Sequence, residues 1–170
     1  MKSLTLIIAL CAALAVAVAG CGGSSSTSTG STESESTASS ESTAATKSKT
    51  KPKVTVPKGA PPKKLEIKEI EAGTGAEAKS GDEVTVQYVG VGYESRKEFD
   101  SSWSRNEPFP VSLGAGQVIP GWEQGIEGMK VGGRRELIIP PELAYGPAGS
   151  PPAIGKNETL IFVIDLLAVK

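Results

Sequence analysis

Apolar and polar positions alternate with a period of two through Leu65-Glu-Ile-Lys-Glu-Ile70 and again from Glu83 to Val91, where Val84, Val86 and Tyr88 share one face. That period predicts strands with one face buried. Phe109-Pro-Val-Ser-Leu113 predicts a short strand whose proline confines it to an edge or a bulge. The period changes from Ile119 to Met129, where Ile119, Trp122, Ile126 and Met129 recur at steps of three or four and form one apolar stripe. This predicts the chain's one helix, with Pro120 at its first position, where a missing N–H costs nothing. Gly132-Gly133 predicts a turn, and Arg135 to Ile139 a strand with Leu137 and Ile139 inward. Thr159 to Val169 contains an unbroken apolar run, Leu160-Ile-Phe-Val-Ile164, as expected of a central strand buried on both faces. The expected fold is α+β: one curved antiparallel sheet wrapped around one short α-helix, in residues 65–170.

The N-terminal third reads differently. Lys2 is followed by an apolar run from Leu4 to Ala19, too short and Ala-rich for a membrane-spanning helix but suited to a signal peptide, residues 1–20. The run ends in Val18-Ala19-Gly20-Cys21, which resembles a bacterial lipobox. That resemblance implies cleavage before Cys21, lipidation (palmitate) of its thiol, and an extracytoplasmic protein anchored to the cell membrane through acyl chains; from the residues alone, an ordinary secretory signal cut near Ala19 and an uncleaved anchor stay open. Each buried CH₂ contributes ~0.8 kcal/mol to such anchoring. Residues 21–64 are expected to form a disordered tether, rich in Ser and Thr to Thr50 and then in Lys and Pro. Gly22 to Thr50 contains no aromatic residue and no aliphatic larger than Ala, so ordering it would cost more entropy than burial returns.

Composition then removes whole classes of chemistry. The chain has 170 residues with 18 Lys+Arg, 19 Asp+Glu, no His and 2 Cys. A net charge of −1 gives no field to attract nucleic acid. Without histidine there is no Ser-His-Asp or Cys-His nucleophile and no His-ligated metal. Two cysteines, one of them in the signal, build neither a disulfide framework nor a Cys-only zinc site. What remains is shape, apolar surface, carboxylates, hydroxyls and amides. Tyr88, Tyr93, Phe99, Trp103, Phe109, Trp122, Tyr145 and Phe162 all fall in residues 65–170, with Trp122 on the helical stripe. From these rings alone, a packed core and an apolar pocket are both open.

Tyr88-Val-Gly90, Phe99-Asp-Ser-Ser102, Arg105-Asn-Glu-Pro-Phe109, Leu113-Gly114, Val118-Ile-Pro-Gly-Trp-Glu123, Gly125, Met129, Val131-Gly132, Pro140 and Ala144-Tyr-Gly146 follow one another in this chain. So do Leu160-Ile-Phe162 and Asp165-Leu-Leu167. In order and approximate spacing this set resembles the FKBP-type peptidyl-prolyl cis-trans isomerases over essentially all of 65–170. The resemblance implies that a substrate proline sits on the indole of Trp122. Tyr88, Phe99, Val118, Ile119 and Phe162 would form apolar walls, with Phe109 a further wall and Ile154 a substrate contact. Asp100, oriented by Tyr88 and Arg105, would accept a polar contact near the twisting amide. The Ile119 N–H and the Tyr145 hydroxyl would reach substrate carbonyls. No cofactor and no metal is implied.

The implied partners are proline-containing exported polypeptides and macrolide inhibitors, the protein acting as a monomer in the folding of exported chains. Two other readings stay open: a binding or chaperone module of the same fold with little turnover, and a structural surface lipoprotein. Two stretches depart from the family pattern. The connection Val89 to Glu98 lacks the usual glycine shortly before the Phe and is about a residue longer. The Gly146 to Ile154 loop is Pro-rich, with Ser150 where many relatives carry a larger residue.

Overall fold

In the computed structural model, residues 49–170 are described. The signal peptide, Cys21 and the Ser/Thr-rich part of the tether lie outside them. Among the described residues, six strands form one antiparallel sheet: β1 (Glu66–Glu71), β2 (Glu83–Gly92), β3 (Glu98–Ser101), β4 (Phe109–Ser112), β5 (Arg134–Ile139) and β6 (Leu160–Val169). The spatial order is β1-β5-β6-β2-β3, with β4 also on β2. β6 is central, as its continuous apolar run predicted. β1 is an edge strand with Ile67 and Ile70 nearly half exposed, at 47% and 49%.

β3 and β4 occupy the same edge of β2. β3 pairs with its far end, Val89 to Val91, and β4 with its beginning, Glu83 to Val86. Between them the chain makes a one-turn helix, α1 (Ser102–Arg105), ended by Asn106 in the left-handed conformation (φ 53°). The hydropathy pattern does not announce this single turn: four residues are too few for a periodicity to register. Ser102 joins this gap to the sheet. Its Oγ accepts the Tyr88 N–H at 2.8 Å and donates to Gln87 Oε1. The interrupted edge leaves β2 uncovered opposite Tyr88.

The second helix, α2 (Pro120–Ile126), is shorter than the Ile119–Met129 stripe, because Gly128 takes a positive φ of 77° and turns the chain. Met129 still packs in the core. α2 lies flat on β5. A Cβ at Gly121 would stand 2.4 Å from Ile139 Cγ2, and one at Gly125 2.4 Å from Leu137 Cδ1. Glycine at these two positions sets how close helix and sheet come. Between them lies the main core: Val84, Val86, Leu137, Ile139, Leu160, Ile164 and Leu166 from the sheet, Trp122 and Ile126 from α2.

Part of the stretch expected to be free chain, residues 49–56, packs on the sheet. Lys49 Nζ donates to Glu71 Oε2 at 2.8 Å and to the Gly132 carbonyl at 2.7 Å. Arg134 Nη2 donates to the Thr50 carbonyl at 2.9 Å, and Lys51 Nζ to Glu98 Oε1 at 2.7 Å. Val54 and Val56 pack on Tyr93, Ile138 and Ile161. The composition hid this because a Lys/Pro-rich segment can pack with only every second residue, and those residues are Pro52, Val54 and Val56.

Candidate active site

The interrupted sheet edge opens onto a cavity of about 650 Å³, lined by Tyr88, Phe99, Asp100, Arg105, Phe109, Gly116, Gln117, Val118, Ile119, Trp122, Tyr145 and Phe162. Trp122 forms the base from the first turn of α2. Its ring stands edge-to-face to Tyr88 at 5.0 Å and to Phe162 at 5.1 Å between centroids, at interplanar angles of 79° and 88°. Phe99 continues the wall, edge-to-face to Phe162 at 5.6 Å. Phe109 stands 5.9 Å from Tyr88 and is 38% exposed at the rim. Edge-to-face is a preferred arrangement of aromatic pairs, so these contacts favour the observed orientation of the walls.

Phe99 and Asp100 enter the cavity through an irregularity in β3. Gly90 pairs with Asp100 and Val91 with Glu98, so the ladder shifts by one residue at Phe99. A bulge re-aims side chains at the end of a strand, and here it gives ring and carboxylate to one wall. Asp100 is the charged centre of that wall. Its Oδ2 accepts the Tyr88 hydroxyl at 2.5 Å, and its Oδ1 accepts the Ser101 N–H at 2.8 Å and Arg105 Nη1. Arg105 Nη2 donates to the Tyr88 oxygen at 2.8 Å, closing the triangle, with its guanidinium carbon 5.7 Å from the Tyr88 ring centre.

Electrostatics follow from these contacts. Burial alone would raise the Asp100 pKa, but the hydrogen bonds from Tyr88 and Arg105 outweigh it and hold the carboxyl below its ordinary value. Burial, then the neighbouring Asp100, pushes the Tyr88 hydroxyl up. Hydrogen bonds to Tyr88 and Asp100 raise Arg105. Burial and the Asp100 charge raise Tyr145. At neutral pH the wall carries one ionised carboxylate, its guanidinium partner and two intact phenols.

Loop 114–119 closes the remaining side. Gly116 N–H donates to Glu123 Oε1 at 2.9 Å, so the first turn of α2 fixes the loop that leads into it. Val118 and Ile119 are half-buried against the core and face the cavity. Tyr145, between two short 3₁₀ turns at 141–143 and 146–148, is 43% exposed with its ring on the cavity.

Of the site residues expected from the sequence, all but Ile154 and Cys21 line the cavity. Ile154 is not at the cavity: it is 5% exposed, within the main core, and forms a bridge with Ser150 that closes its own loop. Its place at the foot of the Pro-rich loop turned an apolar residue inward. Cys21 lies outside the described residues. Gly116 and Gln117, which the reading did not name, line the mouth. Exposed loop residues carry no periodic signal, and only their position before Val118 could have drawn notice.

Among the described residues, no group of three or more Cys, Asp or Glu could hold a metal ion, and no helix is long and apolar enough to cross a membrane.

Compared with known proteins, residues 75–167 match the sequence profile of the FKBP-type peptidyl-prolyl cis-trans isomerases. A FK506-binding protein of Streptomyces anulatus is 57% identical over 119 residues, 69% of this chain and 96% of that one. A probable FK506-binding protein of Corynebacterium glutamicum is 52% identical over 117 residues, 69% of this chain and 97% of its own length. Among solved structures, FkpA from Escherichia coli aligns with a TM-score of 0.57 at 47% identity, over 62% of this chain and 48% of that chain. AtFKBP13 aligns with a TM-score of 0.58 at 38% identity, over 62% and 93%.

Proposed function

The chain belongs to the FKBP-type peptidyl-prolyl cis-trans isomerases, and from that premise we propose that it speeds Xaa-Pro rotation in exported polypeptides while they fold, tethered outside the cytoplasm by a lipid on Cys21. The observation that carries the catalytic part is an apolar cavity with an indole at its base and an ionised carboxylate in its wall.

Rotation about the prolyl amide faces a barrier of ~18–20 kcal/mol because the planar bond is conjugated. Uncatalysed, it takes tens of seconds or longer. No bond is made or broken, so the catalyst has only to bind the twisted amide more tightly than the planar one. The twisted amide has lost its conjugation and part of its charge separation, and an apolar cavity favours it for that reason. In this reading the pyrrolidine ring rests on Trp122 between Tyr88, Phe99 and Phe162. The Ile119 N–H and the Tyr145 hydroxyl hold the flanking carbonyls. Asp100 gives the rotating amide a fixed negative partner, itself held by Tyr88 and Arg105. The same cavity would take a macrolide inhibitor.

The cellular part rests on the lipobox-like Val18-Ala-Gly-Cys21 and the Ser/Thr-rich stretch behind it. Two measurements test the whole. A protease-coupled assay on Xaa-Pro peptides is expected to show acceleration that a macrolide abolishes. A folded protein that binds the peptides without accelerating them would make it a binding module instead. Cell fractionation is expected to find the wild-type chain in the membrane fraction and the Cys21→Ser variant released from it. Equal distribution of the two would overturn the lipid anchor.

A further inference from the structure

Val89, Val91 and Tyr93 on and just beyond β2, Ile138 on β5, and Ile161 and Val163 on β6 are all buried. Successive strand residues face opposite ways, and the core face takes Tyr88, Leu137 and Phe162, so these six belong to the other face. Residues 52–56 lie over part of it. Pro52, Val54 and Val56 are half-buried, while Lys51, Lys53 and Thr55 between them are exposed. Burial along the segment alternates with a two-residue period, yet among the described residues no backbone–backbone hydrogen bond joins 51–62 to the sheet.

Side chains hold it instead. Glu71 and Glu98 take Lys49 and Lys51, Ser104 Oγ accepts from Lys51 at 3.2 Å, and Arg134 takes the Thr50 carbonyl. The fit is incomplete: about 360 Å³ of groove remains beside the segment, lined by Pro52, Val54, Val56, Val89 and Val91 and by the charged Lys53, Arg96 and Glu98. That space is open to solvent and leaves room beside Val54 and Val56 for side chains larger than valine.

We infer that this groove is a second polypeptide-binding site, closed in cis by residues 49–57 and able to take in trans an extended segment with larger apolar side chains at alternate positions behind basic residues. The cis segment displays the chemistry that the groove accepts: cations for the two carboxylates, then apolar residues two apart. Its attachment gives it an effective concentration on the order of millimolar, so a trans segment gains access only as the cis segment lifts. The groove stands on its own geometry, opposite the cavity. Its use, keeping an unfolded chain near the cavity for repeated encounters, rests on the isomerase reading.

The test uses the full-length chain and a fluorescent nine-residue peptide with the sequence of residues 49–57 and leucine in place of both valines. Two variants release the cis segment: Val54→Asp with Val56→Asp, and Lys49→Glu with Lys51→Glu. The second pair keeps the test informative should the first not fold. Fluorescence anisotropy is expected to show binding at least tenfold tighter to a folded released variant than to the wild type. Adding Val91→Asp should abolish that gain, and an excess of an unlabelled Xaa-Pro peptide should leave it intact. No gain in either folded variant overturns the proposal. So does a gain that the Xaa-Pro peptide competes away, which would place the peptide in the catalytic cavity. Acceleration of Xaa-Pro peptides by the same released variants, measured in parallel, keeps failure of the groove separate from failure of the isomerase reading.

Discussion

Asp100 keeps its charge in a partly buried wall because three donors reach its two oxygens. With its folded pKa depressed, the stabilisation this carboxylate provides is complete above the ordinary value of ~3.9 and is lost only as the pH falls through the lower folded value. Tyr88 and Tyr145 are shifted the other way and keep their protons past the ordinary phenol value. With no histidine in the chain, the pH profile of kcat/KM is expected to be flat from about pH 5 to 9. A step near neutrality would mean that another group does the work. Asp100→Val removes the charge but not the cavity. A hydrogen bond to a charged group contributes ~1.5–3 kcal/mol, so kcat/KM should fall roughly 10–100-fold. The melting temperature should barely move, because this ion pair is about half in solvent. Trp122→Ala differs in kind: truncating a buried ring costs ~3–5 kcal/mol, and both stability and activity should drop in thermal melts and rate assays.

Single elements show where a local pattern is informative. β2 and β5 were legible because each buries a face and so repeats every second residue, β6 from its unbroken apolar run, and α2 from its stripe. β3 and α1 were not, since a bulged four-residue strand and a one-turn helix are too short for any period, and they exist because β2 and Ser102 hold them. α2 was read too long because Gly128 acts through its dihedral, not its hydropathy. Its other glycines make a prediction. Gly125→Ala gains ~1 kcal/mol of helix propensity but drives a methyl into the fully buried Leu137, and overpacking costs ~1–3 kcal/mol. The second term should win, lowering stability by ~1 kcal/mol and raising KM as α2 and Trp122 move outward. A variant more stable than wild type would show that Leu137 has room to yield.

For the molecule as a whole, the segment ahead of β1 counts as part of the fold. Removing residues 1–48 should leave the melting temperature and isomerase rate unchanged. Removing 1–60 takes away Val54 and Val56 and bares Val91, Tyr93 and Ile161. Half-burial of two valines contributes ~2 kcal/mol, so the melting temperature should fall by roughly 5–15 °C. Calorimetry on the two truncations decides this, and equal melting temperatures would return 49–60 to the tether. The Leu160-Ile-Phe-Val-Ile164 run already required a cover on both faces of β6, but nothing local identified which segment supplies the second.

The sequence alone determined the strand and helix faces, the absence of histidine chemistry and the ordered set of aromatic and acidic residues, since each depends on residue type and near spacing. Tertiary structure alone decided that Ile154 packs inward, that Phe99 bulges to bring Asp100 onto Tyr88 and Arg105, and that a Lys/Pro-rich stretch closes the outer face of the sheet. Those outcomes depend on which distant surfaces meet, and contacts between positions far apart in the chain leave no period in the sequence.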